Sequence, residues 1–339
     1  MVTVATDLLA DPFQERSTLL TRAPLQLLGG SFRFASNSRQ LLQLVDHAYA
    51  GLPRHRLGSA APQLRVKLLL TPAKPHRSRS EPPALQMLSG AGFVGGATPP
   101  ASLVMVAPAE RSALVTVSAD MQRFPYHTRY ELIEFAVFTL AARVQGLVSL
   151  HAACVGRRGR GVLLLGPSGS GKSTVALQCL LQGLDFVAED GVFVEPGSML
   201  ATGIANFLHV RSDSLRWVER ARDARAIRNS PVIGRRSGVK KFEVDLRVPR
   251  YRLANSPLEL ASVVFLSAQS AGAGPLLVPL SKADLLRRLT DAQAYAANQP
   301  GWAAFCRKVA RLGAFELRRG RHPLEAVDAL RDVLGARTR

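Results

Sequence analysis

The chain has 339 residues, 47% of them hydrophobic and 20% charged, a composition that can bury a sizeable core and excludes wholesale disorder. Its 44 Lys+Arg against 25 Asp+Glu give a formal charge of +19, which favours an anionic partner such as a nucleotide, an acidic peptide, nucleic acid or an anionic membrane; an arginine-rich composition with a generally cationic surface gives the same surplus. Cys154, Cys179 and Cys306 lack C-x-x-C spacing and no run of about 18 apolar residues occurs, so neither a zinc site nor a disulfide framework nor a membrane span is indicated, and a cytoplasmic protein is expected.

The N-terminus, with Asp7 and Asp11 and no long apolar run, does not read as a signal peptide. Ser31-Phe32-Arg33-Phe34 alternates like a short strand, and Asn37 or Ser38 caps a predicted helix carrying Leu41, Leu42, Val45 and Tyr49, which stops near Gly51-Leu52-Pro53. Leu64 to Leu70 begins by alternating apolar and basic residues as a half-buried strand does, and Thr71–Pro83, rich in Pro, Ser and Arg, reads as a loop. Leu103–Val106 and Leu114–Val117 are the next strands. Residues 1–125 thus form a small, strand-rich α/β unit without a chemical motif, and 126–339 the domain that carries one.

Apolar residues crowd most of the helical surface predicted for Thr128–Gln145, so that helix is buried, ending near Gly146. Strand Leu147–Val155, a basic turn Arg157–Arg160, strand Gly161–Leu165, a glycine-rich loop, helix Ser173–Gln182, Gly183 and strand Phe186–Ala188 follow in close order. Asn206–Arg211 and Val263–Leu266 are predicted strands, and Arg222–Lys241, full of Arg, Ser and Gly, an exposed mobile segment. Leu280–Leu289 and Leu324–Leu334 have helical spacing, with Ala314–Leu317 a short strand between them.

The glycine-rich loop reads Gly166-Pro167-Ser168-Gly169-Ser170-Gly171-Lys172-Ser173 and fits G-x-x-x-x-G-K-S, with an apolar strand before it and a helix after it. Glycines at these places let successive N–H groups face phosphate oxygens, and the helix N-terminus adds partial positive charge. The pattern predicts a P-loop for a nucleoside triphosphate, ATP with Mg2+, in which Lys172 reaches the β and γ phosphates and the Ser173 hydroxyl takes one magnesium position. Phosphoryl transfer also needs a carboxylate for Mg2+ and a base for the attacking oxygen. Glu189-Asp190 supplies adjacent carboxylates at the end of an apolar strand, unusually soon after Lys172. No LSGGQ-like segment follows, which counts against a transporter ATPase.

This arrangement resembles the HPr kinase/phosphorylase family and its relatives, which share a nucleotide-binding core with phosphoenolpyruvate carboxykinases. The resemblance rests on Leu150-His151-Ala152-Ala153, on the loop through Thr174, on Gly183 and on Val187-Ala188-Glu189-Asp190, with weaker likeness in Ser262–Leu266, Pro279-Leu280-Ser281 and Phe315–Leu330. It implies an α/β fold with a mixed sheet and flanking helices. It makes Gly166–Thr174 the phosphate loop, Ser173 and Asp190 metal ligands, Glu189 the base that accepts the proton of the acceptor hydroxyl, and His151 a neighbour of the reacting phosphate. The family has Asp where this chain has Glu189, and no counterpart of its acidic, glycine-containing signature segment follows, so an acceptor other than HPr is expected.

The expected activity is a kinase that moves the γ-phosphoryl group to a hydroxyl, a Ser of a protein or peptide. A small-molecule kinase and a non-catalytic, nucleotide-gated binding module are the rivals. The resemblance also implies a homo-oligomer, and nucleic acid is not an expected partner because the basic residues are not interleaved with aromatics. His209 and Trp217 read as structural residues. Arg235, Arg236, Lys240 and Lys241 either serve an acidic substrate or the transferring phosphoryl group, or form a solvated basic loop.

Overall fold

The computed structural model describes residues 18–58, 60–72, 82, 84–98 and 102–335. Asp7 and Asp11 lie outside the described residues, as do 73–81 and 83 of the predicted loop. The chain is mixed α/β, with large sheets and flanking helices. It divides into two compact units, one of residues 1–25, 32–48 and 63–140 and one of 26–31, 49–62 and 141–339. Among the described residues no helix is long and apolar enough to cross a membrane.

The first unit is built on a sheet in the order Leu20–Thr21, Gly30–Ser36, Gln63–Thr71, Ser112–Ser118, Ser102–Ala107, Phe93–Thr98, Gln86–Gly90. Its alternation follows the sequence: Leu64, Val66 and Leu68 are buried while Arg65 is exposed and Lys67 only half-buried, as a period-two strand with one core face requires. Gln63–Thr71 pairs in parallel with Ser112–Ser118, a contact between distant segments that the local pattern does not announce.

In the second unit the sheet runs Asp185–Ala188, Ala153–Arg157, Arg160–Leu165, Leu258–Ser270, Leu200–Gly203, Val192–Glu195, Val148–Leu150. Gly313–Arg319 pairs in parallel with Leu258–Ser270, which also lies parallel to Arg160–Leu165; the other pairings are antiparallel. The predicted basic turn is a tight hairpin, with Arg158 at φ 53° and Gly159 at φ 79°, the left-handed pair that a two-residue connection between twisted strands requires.

Val162 to Leu165 form an unbroken apolar run because the sheet is covered on both faces. Val162 and Leu164 pack with Val175, Leu180, Val327 and Leu330 of helices Lys172–Leu181 and Pro323–Gly335. Leu163 and Leu165 face the other way, onto Leu285, Leu289, Phe305 and Val309 of helices Lys282–Ala292 and Trp302–Val309. Truncating a fully buried leucine here, such as Leu164, removes about 2–5 kcal/mol of stability. Cys154 and Cys179 lie in the same two layers, and burial pushes both thiols up to about 12, so they serve as core side chains.

Two expectations are corrected. The predicted strand Leu147–Val155 is two strands, Val148–Leu150 and Ala153–Arg157, because they pair with different neighbours and the chain crosses over at His151-Ala152. Arg222–Lys241, expected as an exposed mobile segment, is exposed over most of its length but carries regular structure: it contains most of helix Ala221–Arg228, strand Val232–Gly234 and the start of strand Lys240–Asp245. Ala224 and Ile227, one helical turn apart, enter the core, and Ile233 is buried on a strand paired to Lys240–Asp245. These few apolar side chains decide the outcome against a strongly polar background.

His55 is buried in this unit, its Nδ1 2.8 Å from Thr202 Oγ1 and its Nε2 2.8 Å from the Ala254 carbonyl oxygen. The carbonyl can only accept, so Nε2 carries the proton and Nδ1 receives the threonine hydroxyl. Burial pushes this imidazole below its ordinary 6.5, against the opposing bond to Ala254. The unfolded chain therefore takes up a proton before the folded one does. Stability from this group is complete above about pH 6.5 and is lost below it, by at most about 1.4 kcal/mol per pH unit. Denaturant titrations at pH 7.5 and 5.5 should show this loss in the parent protein and a smaller one in His55→Gln.

Candidate functional site

The loop of residues 166–171 joins strand Arg160–Leu165 to helix Lys172–Leu181, and its glycines are required by geometry. A Cβ on Gly166 would lie 2.5 Å from Ser170 Oγ and 3.3 Å from Leu266 Cβ, so the loop can fold this closely only without one. Gly169 and Gly171 have φ of 83° and 96°, conformations that L side chains rarely adopt. Ser170 N–H donates to the Pro167 carbonyl at 3.1 Å, closing the turn. Val175 N–H donates to the Gly171 carbonyl at 2.9 Å, so the amides of Lys172, Ser173 and Thr174 belong to the first turn, which has no helical acceptor. Ser168, exposed, completes the loop.

Strand Asp185–Ala188 delivers Glu189 and Asp190 to the same place. Lys172 is buried, with Nζ donating to the Glu189 carbonyl oxygen at 3.1 Å and lying 3.5 Å from Asp190 Oδ1. The two carboxylates have different surroundings. Glu189 is 8% exposed; its Oε1 accepts from the Ser173 hydroxyl and its Oε2 from His209 N–H at 3.4 Å. The Asp190 side chain is 51% exposed, with Oδ1 3.0 Å from His151 Nδ1. Burial acts to raise the Asp190 carboxyl, but the hydrogen bond from His151 and the charges of His151, Lys172 and Arg235 outweigh it and hold Asp190 well below the usual carboxylate range.

The crossover at His151-Ala152 explains how His151 is aimed. At this point the backbone leaves one strand partner for another, and the side chain of Gln293 satisfies it: His151 N–H donates to Gln293 Oε1 at 2.8 Å, and Gln293 Nε2 donates to the His151 carbonyl at 3.1 Å. Gln293 is 142 residues away and carries no motif, so the sequence gives no sign of this clamp. The ring nitrogen Nε2 of His151 has no hydrogen-bond partner among the described residues, since its neighbour Nδ1 makes the contact with Asp190.

These groups line a cavity of about 400 Å³ together with Arg235 and Lys241. From the basic segment, Arg235 and Lys241 reach the cavity wall, whereas Arg236 and Lys240 do not. Burial pushes the Lys241 ammonium below its ordinary range, against the opposing pull of Glu189. His209 and Trp217, read from sequence as structural, also border this cavity. His209 Nδ1 receives Arg235 Nη2 at 3.2 Å and its Nε2 lies 3.4 Å from Glu243 Oε1, so His209 links the short sheet formed by strands Phe207–Val210 and Lys240–Asp245 to Glu189. Thr174 Oγ1 lies 3.2 Å from Ser214 Oγ at the cavity's other side.

Chemically, the cavity holds first-turn backbone donors, a buried ammonium, hard oxygen donors and an imidazole with one nitrogen unpartnered among the described residues. Among the described residues no three His, Cys, Asp or Glu side chains converge as a complete metal cage. The pairing of the Ser173 hydroxyl with the Glu189 carboxylate does fit magnesium, which takes one or two protein oxygens and completes its shell with water and phosphate.

No protein-family model matches the chain, and no curated protein matches it significantly. Among solved structures, the Hpr(Ser) kinase/phosphatase from Coxiella burnetii is similar to it at a TM-score of 0.26 and 12% identity, over 54% of this chain and 88% of that one. A likeness this slight carries no weight for fold or activity.

Proposed function

We propose that this protein is an ATP-dependent kinase with a P-loop core of the HPr kinase type, and that its acceptor is a Ser hydroxyl of a protein or peptide. The observation that carries the reading is the convergence, in one cavity, of the glycine loop, Lys172, the two carboxylates and His151. In this reading the loop amides and Lys172 hold the triphosphate, and magnesium, when bound, would supply further charge neutralisation there. The acceptor class comes from the family resemblance.

The contacts support a division of roles different from the one the resemblance implies. Glu189 has one methylene more than the family's Asp, and that reach lets its carboxylate meet the Ser173 hydroxyl. Ser173 and Glu189 are therefore the pair that would hold magnesium. Asp190, more exposed, holds His151 by Nδ1 and would face the acceptor. The acceptor O–H proton passes to His151 Nε2 as its oxygen attacks the γ phosphorus, and the bond to the ADP oxygen breaks. Arg235 and Lys241 add positive charge to the wall where the transferring group would lie.

The test is incubation of the purified protein with γ-labelled ATP, Mg2+ and lysate of its own host. Label in a protein or peptide, placed on Ser by mass spectrometry, is the expected result. Label in a low-mass product would instead make it a small-molecule kinase, and nucleotide binding with no transfer at all would make it a nucleotide-gated binding module.

A further inference from the structure

A second cavity, of about 340 Å³, shares Gly169, Gly171, Thr174, Arg216 and Trp217 with the first, so the glycine loop is a wall common to both. Each volume falls within the roughly 300–1,000 Å³ of small-molecule sites. Their chemistry differs. Glu189, Asp190 and Asp213 line the first cavity, whereas among the described residues no carboxylate lines the second. The second has an apolar side made by Val175, Leu266, Leu317 and Ala326, a cationic rim of Arg318, Arg319 and Arg321, and two aromatic rings, Trp217 and His322.

Those rings are held in place. Gln178 Nε2 donates to the Trp217 carbonyl at 2.8 Å, and His322 Nδ1 receives Leu324 N–H at 3.2 Å at the start of helix Pro323–Gly335. The rings meet edge to face, with centroids 5.0 Å apart and planes at 81°, and the Arg216 guanidinium lies 4.8 Å from the Trp217 centroid. A planar, electron-rich heterocycle entering this cavity meets an indole, an imidazole and guanidinium groups, which are the surfaces on which a nucleobase stacks. Apolar side chains at its edge complete a site for a flat ring.

We propose that the second cavity receives the purine nucleoside of the triphosphate, and that the first is left to the transferring phosphoryl group and its acceptor. The inference rests on the reading of residues 166–173 as a P-loop. Its direction follows from which loop residues face which side: Lys172 and Ser173, the partners of the β and γ phosphates, line only the first cavity, while Thr174, one residue on, lines both. A triphosphate laid along the loop with its γ end at the carboxylates thus leads its α end past Thr174 to the aromatic cavity.

The chain has two tryptophans, Trp217 and Trp302, and Trp302 packs beside Phe305 in the layer on the opposite face of the sheet. In a Trp302→Phe protein, Trp217 is the sole indole reporter. Binding of Mg-ATP and of inorganic tripolyphosphate is measured by calorimetry, with tryptophan emission read in parallel. ATP is expected to quench Trp217 saturably, and tripolyphosphate to bind without quenching. Trp217→Ala and His322→Ala should each weaken ATP by about tenfold, the loss of a base-stacking contact, and leave tripolyphosphate affinity unchanged, which also shows that the loop is still folded. ATP bound without quenching, or held equally tightly by both variants, overturns the assignment and leaves the P-loop reading standing. If the parent protein binds neither ligand, the P-loop reading itself fails, and this inference with it.

Discussion

Lys172→Ala is expected to lower phosphoryl transfer by about 10²- to 10³-fold, the usual consequence of removing one preorganised donor from a transition-state charge site. Magnesium-dependent ATP binding should weaken with it, because Lys172 is the buried cation between the loop and the carboxylates. Its loss frees one acceptor, the Glu189 carbonyl, and removes one of the charges near Asp190, in a cavity that water can enter. The cost to folding should therefore stay near 1–3 kcal/mol or below, so a folded but inactive variant is the expected result. Calorimetry with Mg-ATP and release of labelled phosphate check the two effects separately. A variant that binds ATP as the parent does would remove the loop from the mechanism.

The second large effect separates the two carboxylates. Asp190→Asn should cut turnover at saturating ATP and Mg2+ by about 10²- to 10⁴-fold, the range for disabling a general base, because Asn no longer holds His151 Nδ1 as a carboxylate does. Its ATP affinity should be unchanged or tighter, since a negative charge facing the phosphates has gone. Glu189→Gln should instead raise the Mg2+ concentration needed for half-maximal turnover by about tenfold or more, equivalent to about 1.4 kcal/mol of lost coordination, with much of the rate restored by excess metal. Kinetics of both variants across a magnesium series decide the matter. The reverse pattern would return Glu189 to the role of base and Asp190 to that of metal ligand, as the family resemblance implies.

Gly166, Gly169 and Gly171 could be read from sequence because their spacing encodes a local backbone shape, and the structure confirms the close approach at Gly166 and the positive φ of the other two. The strand before the loop and the helix after it were legible for the same reason: an apolar run and a helical period are properties of contiguous residues. The crossover at His151-Ala152 was hidden, since Leu147–Val155 is apolar apart from Ser149 and His151 and only its partners divide it. Helix Ala221–Arg228 was hidden too, because two buried side chains among many arginines give a weak periodic signal.

The sequence by itself determined the glycine loop, its lysine and serine, the acidic pair and the strands and helices that flank them, all of which depend on residues a few positions apart. Tertiary structure alone decided that Glu189 reaches Ser173 while Asp190 meets His151, that Gln293 fixes the His151 backbone, and that Trp217 and His322 meet edge to face in the wall of the second cavity. Partners brought together by sheet order and packing have no fixed separation along the chain, so no local pattern can record them.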